Sequence, residues 1–142
     1  MIRGVRADDV EALAGLFADW GHPQPAEMIA AQLELWSATP CSAVLVEEVD
    51  GVVAGLVAVS ATPHLARPGR YARIVGLVVG DAFRRRGVGR ALVAAAEERA
   101  REWGCDRLEL TSSRGRVEAH AFYPALGYEE QSRSHARYRR EL

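Results

Sequence analysis

Apolar positions along the chain change period several times, and each change marks an element. "MIRGVR" reads as a first strand. After Asp8 or Asp9, either of which can cap a helix, Val10, Leu13, Ala14, Leu16 and Phe17 recur at helical spacing. The loop "WGHPQP" (20–25) separates this helix from a second over about residues 25–37, with Met28, Ile29, Leu33 and Trp36 on its apolar side. From Ser42 the period falls to two. "SAVLVEEVDGVVAGLVAVS" reads as two strands joined at Asp50-Gly51, a pair suited to the positive φ angles of a tight hairpin turn.

A loop with two prolines, Ala61 to Arg70, leads to "YARIVGLVVG", a strand apolar enough to be buried on both faces. A loop rich in Arg and Gly then opens a helix that runs to about Trp103, and "GCDRLELTSS" is a turn and a strand. "GRVEAHAFYPAL" predicts a helix of about three turns, with Gly127 as its left-handed cap and Pro124 as a kink against the carbonyl of His120. "YEEQS" and "HARYRREL" close the chain as two short strands. The order β-α-α-β-β-β-α-β-α-β-β predicts one α/β (α+β) domain over residues 1–142.

Composition narrows the class. Of 142 residues, 49% are hydrophobic and 26% charged, as in soluble globular proteins. No apolar run approaches the roughly 20 residues of a membrane span, and acidic residues follow the N-terminus where a signal peptide needs an apolar stretch. A cytoplasmic protein with no membrane partner is expected. Cys41 and Cys105 stand far apart and the four histidines fall in no ligand spacing, so no metal is expected and the cysteines read as small buried apolar residues. The net charge of −1 hides a split: residues 1–70 carry nine Asp/Glu against four Arg, and residues 71–142 ten against fourteen. All 18 basic residues are arginine. The split suggests an anion gripped by the second half and a cationic group received near the first.

The most informative stretch is "FRRRGVGRAL" (83–92), between the buried strand and a helix. A first helical turn leaves N–H groups unpaired and carries partial positive charge. Gly87 and Gly89 let an oxygen approach the backbone closely, and Arg84, Arg85, Arg86 and Arg90 surround the turn with formal charge. The pattern is neither GxxxxGK[ST] nor GxGxxG. It is Arg84-x-x-Gly87-x-Gly89, followed about thirty residues later by "EAHAFYPALGYE" (118–129).

Together these segments resemble the GCN5-related N-acetyltransferase (GNAT) family, through Arg84, Gly87 and Gly89 and then Ala119, Phe122, Tyr123, Leu126, Gly127 and Tyr128. The element order matches the family's along essentially the whole chain. The resemblance implies a mixed, mostly antiparallel sheet of about seven strands flanked by about four helices, and acetyl-CoA as cosubstrate. It implies that a bulge makes the fourth strand splay from the fifth, so that pantetheine enters along the backbone of Leu77, Val78 and Val79. The pyrophosphate would rest on Arg84, Arg85, Arg86, Gly87, Val88, Gly89 and Arg90. Tyr123 would contact the cofactor and act as general acid toward the departing thiolate, and the Val79 N–H would polarise the thioester carbonyl.

Two positions depart from the family. Arg116 stands where many members have Asn, and either reaches a phosphate or is a solvated helix start. The strand glutamate that deprotonates the amine in many members is absent, since Arg73 and Val75 occupy those places. Glu109, Glu47, Glu48 and His64 are the candidates to replace it, with Glu109 carried forward. Trp20, His22 and His64, with Gln24 and Trp36, would line the acceptor site. The implied activity is direct acetyl transfer to a primary amine of a small-molecule acceptor, in a homodimer without nucleic acid. The rival reading is a non-catalytic acyl-CoA-binding sensor.

Overall fold

The computed structural model describes residues 1–112 and 117–142, in two compact units, Met1–Leu110 and Thr111–Leu142. In the first unit, strand β1 (Ile2–Gly4) leads through a short 3-10 turn (Ala7–Asp9) into helices α1 (Val10–Trp20) and α2 (Ala26–Ala38). Strands β2 (Ser42–Val49), β3 (Val52–Pro63) and β4 (Arg70–Val79) follow, then helix α3 (Val88–Glu102) and strand β5 (Cys105–Glu109). The strands pair in the order β1-β2-β3-β4-β5, antiparallel except for the parallel β4–β5 pair.

Local chemistry accounts for the joints. Gly21, at φ 87°, ends α1: its N–H donates to the Ala18 carbonyl and the His22 N–H to the Phe17 carbonyl. The β2–β3 hairpin turns at Asp50 (φ 51°) and Gly51 (φ 77°), as the Asp-Gly pair predicts. The loop expected over residues 61–70 is shorter than its prolines suggest, because Ala61, Thr62 and Pro63 pair with Ala72, Tyr71 and Arg70. Asp9 does not cap α1 through its side chain. Its carboxylate instead accepts the Arg6 N–H at 2.7 Å and two N–H groups of Arg3 at 2.8 Å.

One face of the sheet carries α1 and α2, whose Leu13, Leu16 and Ile29 close over Val46, Leu56 and Val78. Helix α3 lies against β3 and β4, with Leu92, Val93 and Ala96 fully buried. At Gly55 on β3 an added Cβ would lie 2.6 Å from the Val78 carbonyl oxygen, 3.0 Å from Leu92 and 3.2 Å from Val88. Only glycine permits that approach. The cysteines are half-buried thiols rather than core residues, and burial pushes the Cys105 thiol up.

The second unit holds α4 (Val117–Ala125), which continues through Pro124 for one residue before the cap at Gly127 (φ 94°). The two closing strands do not form, so the sheet has five strands among the described residues rather than about seven. From Glu129 onward the apolar residues are Ala136, Tyr138 and Leu142, all exposed. No residue of this segment is packed as the inner face of a strand would be.

Arg3 ties β1 to the rest of the first unit. Its side chain is 12% exposed, and besides Asp9 it holds Glu48 of β2 at 2.6 Å. The guanidinium keeps the carboxyls of Asp9 and Glu48 below the usual carboxylate range. A depressed folded-state pKa adds stability at neutral pH that is lost as pH falls through the carboxylate range. Arg3→Ala is therefore expected to lower unfolding stability by about 2–4 kcal/mol near neutrality. The gap to the parent should narrow as pH falls below about 5, where the unfolded carboxyls begin to take protons, and close further as the folded ones follow, read by urea denaturation at several pH values.

Candidate functional site

The site is built around one irregularity in β4. Gly76 opposes Ala58 and Ile74 opposes Val59, so Val75 has no partner on β3 and forms a bulge. The strand was expected to be buried on both faces, yet Val75 is 55% exposed, because the extra residue turns its side chain out of the packed layer. Pairing of β4 with β5 stops at Arg73 opposite Glu109, just before the bulge. Beyond it β4 keeps β3 as its neighbour and parts from β5.

Parity decides which backbone groups face the open edge. The Gly80 N–H donates to the Ala54 carbonyl at 2.8 Å, which makes Gly80–Ala54 a hydrogen-bonded pair. The pairs Val78–Leu56 and Gly76–Ala58 share that parity and bond toward β3. Leu77 and Val79 therefore turn their N–H and C=O groups the other way. Of the three expected strand contacts, these two offer backbone to a ligand. Val78 spends its backbone on β3 and its side chain on the core.

Beyond β4 a 3-10 turn (Asp81–Phe83) leads to the arginine loop. Arg85 (φ 62°) and Gly87 (φ 80°) are both left-handed, and Gly87 caps α3. Such turns gather successive N–H groups into a concave anion site. The first amide of α3 to bond within the helix is that of Ala91, to the Gly87 carbonyl at 3.1 Å, which leaves those of Val88, Gly89 and Arg90 facing outward. Arg84 lies 3.1 Å from Asp81, and the Arg86 guanidinium sits 5.4 Å from the centre of the Phe83 ring. Among the described residues Arg85 and Arg90 have no carboxylate partner. The turn thus places the amides of Val88, Gly89 and Arg90 among Arg84, Arg85, Arg86 and Arg90, an arrangement that suits an anion.

On the α2 side of the sheet lies a cleft of about 320 Å³ lined by Gln32, Trp36, Thr39, Ser42, Ser60 and Val75. The bulge thus belongs to both the cleft and the parting of β4 from β5. Trp20 stands beside it, 3.6 Å from where a Cβ on Gly76 would lie, with the His22 ring edge-on at 4.9 Å. Leu77 is two positions from the cleft wall and Val79 is four. Trp36 of this wall is one of the residues the sequence placed at the acceptor site, and the Ser42–Ser60 pair was missed because single serines in strands carry no pattern.

The other sequence candidates fall elsewhere. His64 is packed at the far end of β4, its Nε2 3.0 Å from Asp106 and its ring 5.5 Å from that of Tyr71. Tyr71, on which His64 packs, is four strand positions, about 13 Å at a strand's rise, from the bulge at Val75. His64 holds the Asp106 carboxyl below its usual range, as a clip on the β3–β4 loop. Glu48 is committed to Arg3, and Glu47 lies 2.9 Å from the Met1 amino group. Glu109 remains, half-buried and 3.7 Å from Arg107. Among the described residues no three His, Cys, Asp or Glu side chains cluster as metal ligands, and no helix is long and apolar enough to cross a membrane.

Tyr123 belongs to the second unit, in the last turn of α4. Its carbonyl accepts the N–H groups of Leu126 and Tyr128, and its ring meets those of Phe122 at 5.1 Å and Tyr128 at 6.0 Å. Arg116 lies outside the described residues.

A strand with free backbone beside a bulge, ending in an amide-lined turn, suits an extended ligand with a phosphate-bearing tail. The chain matches the acetyltransferase (GNAT) family model over residues 10–128 and belongs to that family. It is 34% identical over 93 residues to aminoalkylphosphonate N-acetyltransferase of Salmonella typhimurium, covering 66% of this chain and 58% of that relative's length. Among solved structures it is similar to a transcriptional regulator from Bacillus halodurans C-125 (26% identity, TM-score 0.87, 100% of this chain and 99% of that one). It is also similar to AAC(6')-Iy in complex with the bisubstrate analogue CoA-S-monomethyl-acetylneamine (25% identity, TM-score 0.81, 100% and 97%).

Gly55 opposes Val79, so its lack of a side chain sets the position of the open strand as well as that of α3. Gly55→Ala drives a methyl into the Val78 carbonyl. It is expected to cost about 1–3 kcal/mol in stability, read by thermal or urea unfolding.

Proposed function

We propose that the chain is an acetyl-CoA-dependent N-acetyltransferase acting on a primary amine of a small acceptor by direct transfer. Family membership and the AAC(6')-Iy likeness support the donor. The observation that carries the reading is the bulge at Val75, which opens the backbone of Leu77 and Val79 next to a cleft of about 320 Å³. Leu77 and Val79 would bind pantetheine as an added strand, and the amides from Arg85 to Arg90 would hold the diphosphate. Family membership over residues 10–128 runs through both units and supports reading them as one domain.

The acceptor nitrogen attacks the thioester carbonyl carbon, and collapse of the tetrahedral intermediate breaks the C–S bond. The N–H polarising the carbonyl must lie near the acceptor, and Leu77 is nearer the cleft than Val79. This supports giving the role expected of Val79 to Leu77 instead, with Val79 on the pantetheine arm. Tyr123 gives its proton to the leaving thiolate; the pattern Ala119-x-x-Phe122-Tyr123-x-x-Leu126-Gly127-Tyr128 supports this. The ammonium proton would go through water to Glu109, which ends the β4–β5 pairing and whose contact with Arg107 at 3.7 Å is looser than those of Glu47 with Met1 at 2.9 Å and Glu48 with Arg3 at 2.6 Å. Most of the rate comes from holding amine and thioester side by side.

The acidic excess of residues 1–70 does not mark the acceptor as cationic. Asp9, Glu47 and Glu48 are bound to Arg3 and Met1, and no acidic residue lines the cleft. The relatives' acceptors, an aminoalkylphosphonate and an aminoglycoside, are both amines of small molecules, which supports the same class here.

Calorimetric titration with acetyl-CoA tests the donor. Gly87→Glu puts a side chain at a left-handed φ and a carboxylate in the anion turn, and should weaken binding at least about a hundredfold. Unchanged affinity would remove the diphosphate from this loop. Tyr123→Phe should lower kcat about a hundredfold or more with little change in acetyl-CoA affinity. A sensor domain would bind the thioester equally in both forms and turn over no amine in either.

A further inference from the structure

Helix α2 carries its apolar stripe past the end of the core. Ile29 is buried and Leu33 packs on the same cluster, while Trp36, next along that face, is half-buried and lines the cleft instead. What lies beneath each residue explains the difference. Ile29 closes over Val46, Leu56 and Val78, whereas Trp36 shares its cleft with Ser42 and Ser60, which oppose each other on β2 and β3. Two serines stand where larger side chains would fill the space, and the volume they leave belongs to the cleft.

The apolar surface left uncovered here is concentrated. Leu35 is 62% exposed and Val75 55%, and together with Trp36 they wall one space from α2 and from the bulge. Among the described residues the polar groups of the cleft are neutral and few. The Thr39 hydroxyl donates to the Leu35 carbonyl at 2.7 Å and the Ser42 hydroxyl to the Pro40 carbonyl at 3.3 Å, so both spend their protons on backbone. Gln32 and Ser60 supply the rest. An anion in this space would lose hydration without a lining charge to replace it, and the many hydroxyls of a sugar would find too few partners. Arg73 opposes Ser60 but does not line the cleft, and it has a partner of its own.

We propose that the acceptor is an arylalkylamine, a primary amine joined by a short alkyl chain to one aromatic ring, and that Trp36 selects it by packing against that ring. The inference rests on the acetyltransferase reading and adds the substrate class. A flat ring among Trp36, Leu35 and Val75 covers apolar surface that the fold leaves open, and it meets the indole in an offset or edge-on arrangement. A cleft of about 320 Å³ lies at the small end of ligand sites, which suits one ring rather than several. Leu77, whose N–H is assigned to the thioester carbonyl, is two strand positions past Val75, about 7 Å. A ring resting on Val75 spans that gap with a nitrogen about two carbons away.

The test compares acetyl transfer to 2-phenylethylamine, to ethylamine, which lacks the ring, and to 2-aminoethylphosphonate, which carries an anion in its place. The parent should favour the ring-bearing amine over each of the others by at least about tenfold in kcat/KM, as burial of one ring allows. Trp36→Ala should erase most of that preference, with a far larger loss for 2-phenylethylamine than for ethylamine, while Trp36→Phe should retain part of it. Leu35→Ser, at an exposed side chain outside the core, should weaken the same preference with the fold intact. Thermal unfolding and acetyl-CoA titration of each variant show whether fold and donor site persist. A parent that treats the three amines alike or prefers the phosphonate overturns the acceptor class. So does an equal loss for 2-phenylethylamine and ethylamine in Trp36→Ala, or acetyl-CoA binding by the parent without transfer to 2-phenylethylamine. Absence of acetyl-CoA binding by the parent overturns the acetyltransferase reading itself, and this inference with it.

Discussion

One extra residue in one strand organises the first unit. Val75 has no partner on β3, and on either side of it the strand does different work. Before the bulge, β4 pairs on both edges. After it, β4 pairs on one edge only and offers backbone on the other. A regular strand would have kept β5 alongside to Val79 and left no backbone for a ligand to pair with. Bulges cost ladder hydrogen bonds, so they persist where the surrounding packing fixes them. Here the fixing elements are the core that holds Val78 and the close contact between Gly55 and α3.

The charges fall into two groups with separate tasks. Arg3, Asp9 and Glu48 join β1, the start of α1 and β2, and their pairing consumes much of the acidity that the first half of the chain shows in its composition. Of the fourteen arginines of the second half, Arg84, Arg85, Arg86 and Arg90 surround the turn before α3, while Arg99, Arg101 and Arg139 lie beside Glu102, Glu98 and Glu141. Net charge by halves therefore says less about ligands than the local clustering of charge does. Opposite charges that have found each other in the fold no longer shape the field at a cleft.

The elements most legible in the sequence were those whose cause is local. Asp50-Gly51 set a turn by its backbone preferences, Gly21 and Gly127 ended helices by theirs, and the Arg/Gly loop announced an anion site because turn and charge coincide. What stayed hidden depends on partners distant in the chain. The bulge is a mismatch between β3 and β4 that "YARIVGLVVG" alone does not carry, and it was expected only through the resemblance to the family. The opposition of Ser42, Ser60, Arg73 and Glu109 arises from four strands in register. The two closing strands expected at the end of the chain do not form, and every residue from Glu129 onward is exposed.

Three consecutive arginines in a tight turn repel one another, and the structure shows how the turn tolerates them without a ligand. Arg84 leans on Asp81 and Arg86 on the face of Phe83, so two of the charges are occupied within the turn's own approach. Both contacts are exposed and weak, worth about 1 kcal/mol or less each. Contacts of that size can be exchanged for a bound anion. In the proposed site the amides of the first turn of α3 are held by the helix, whereas arginine side chains must be immobilised to bind. Position would thus be set by backbone and attraction by side chain, which makes Gly87, with no charge at all, the residue on which the proposed anion site most depends.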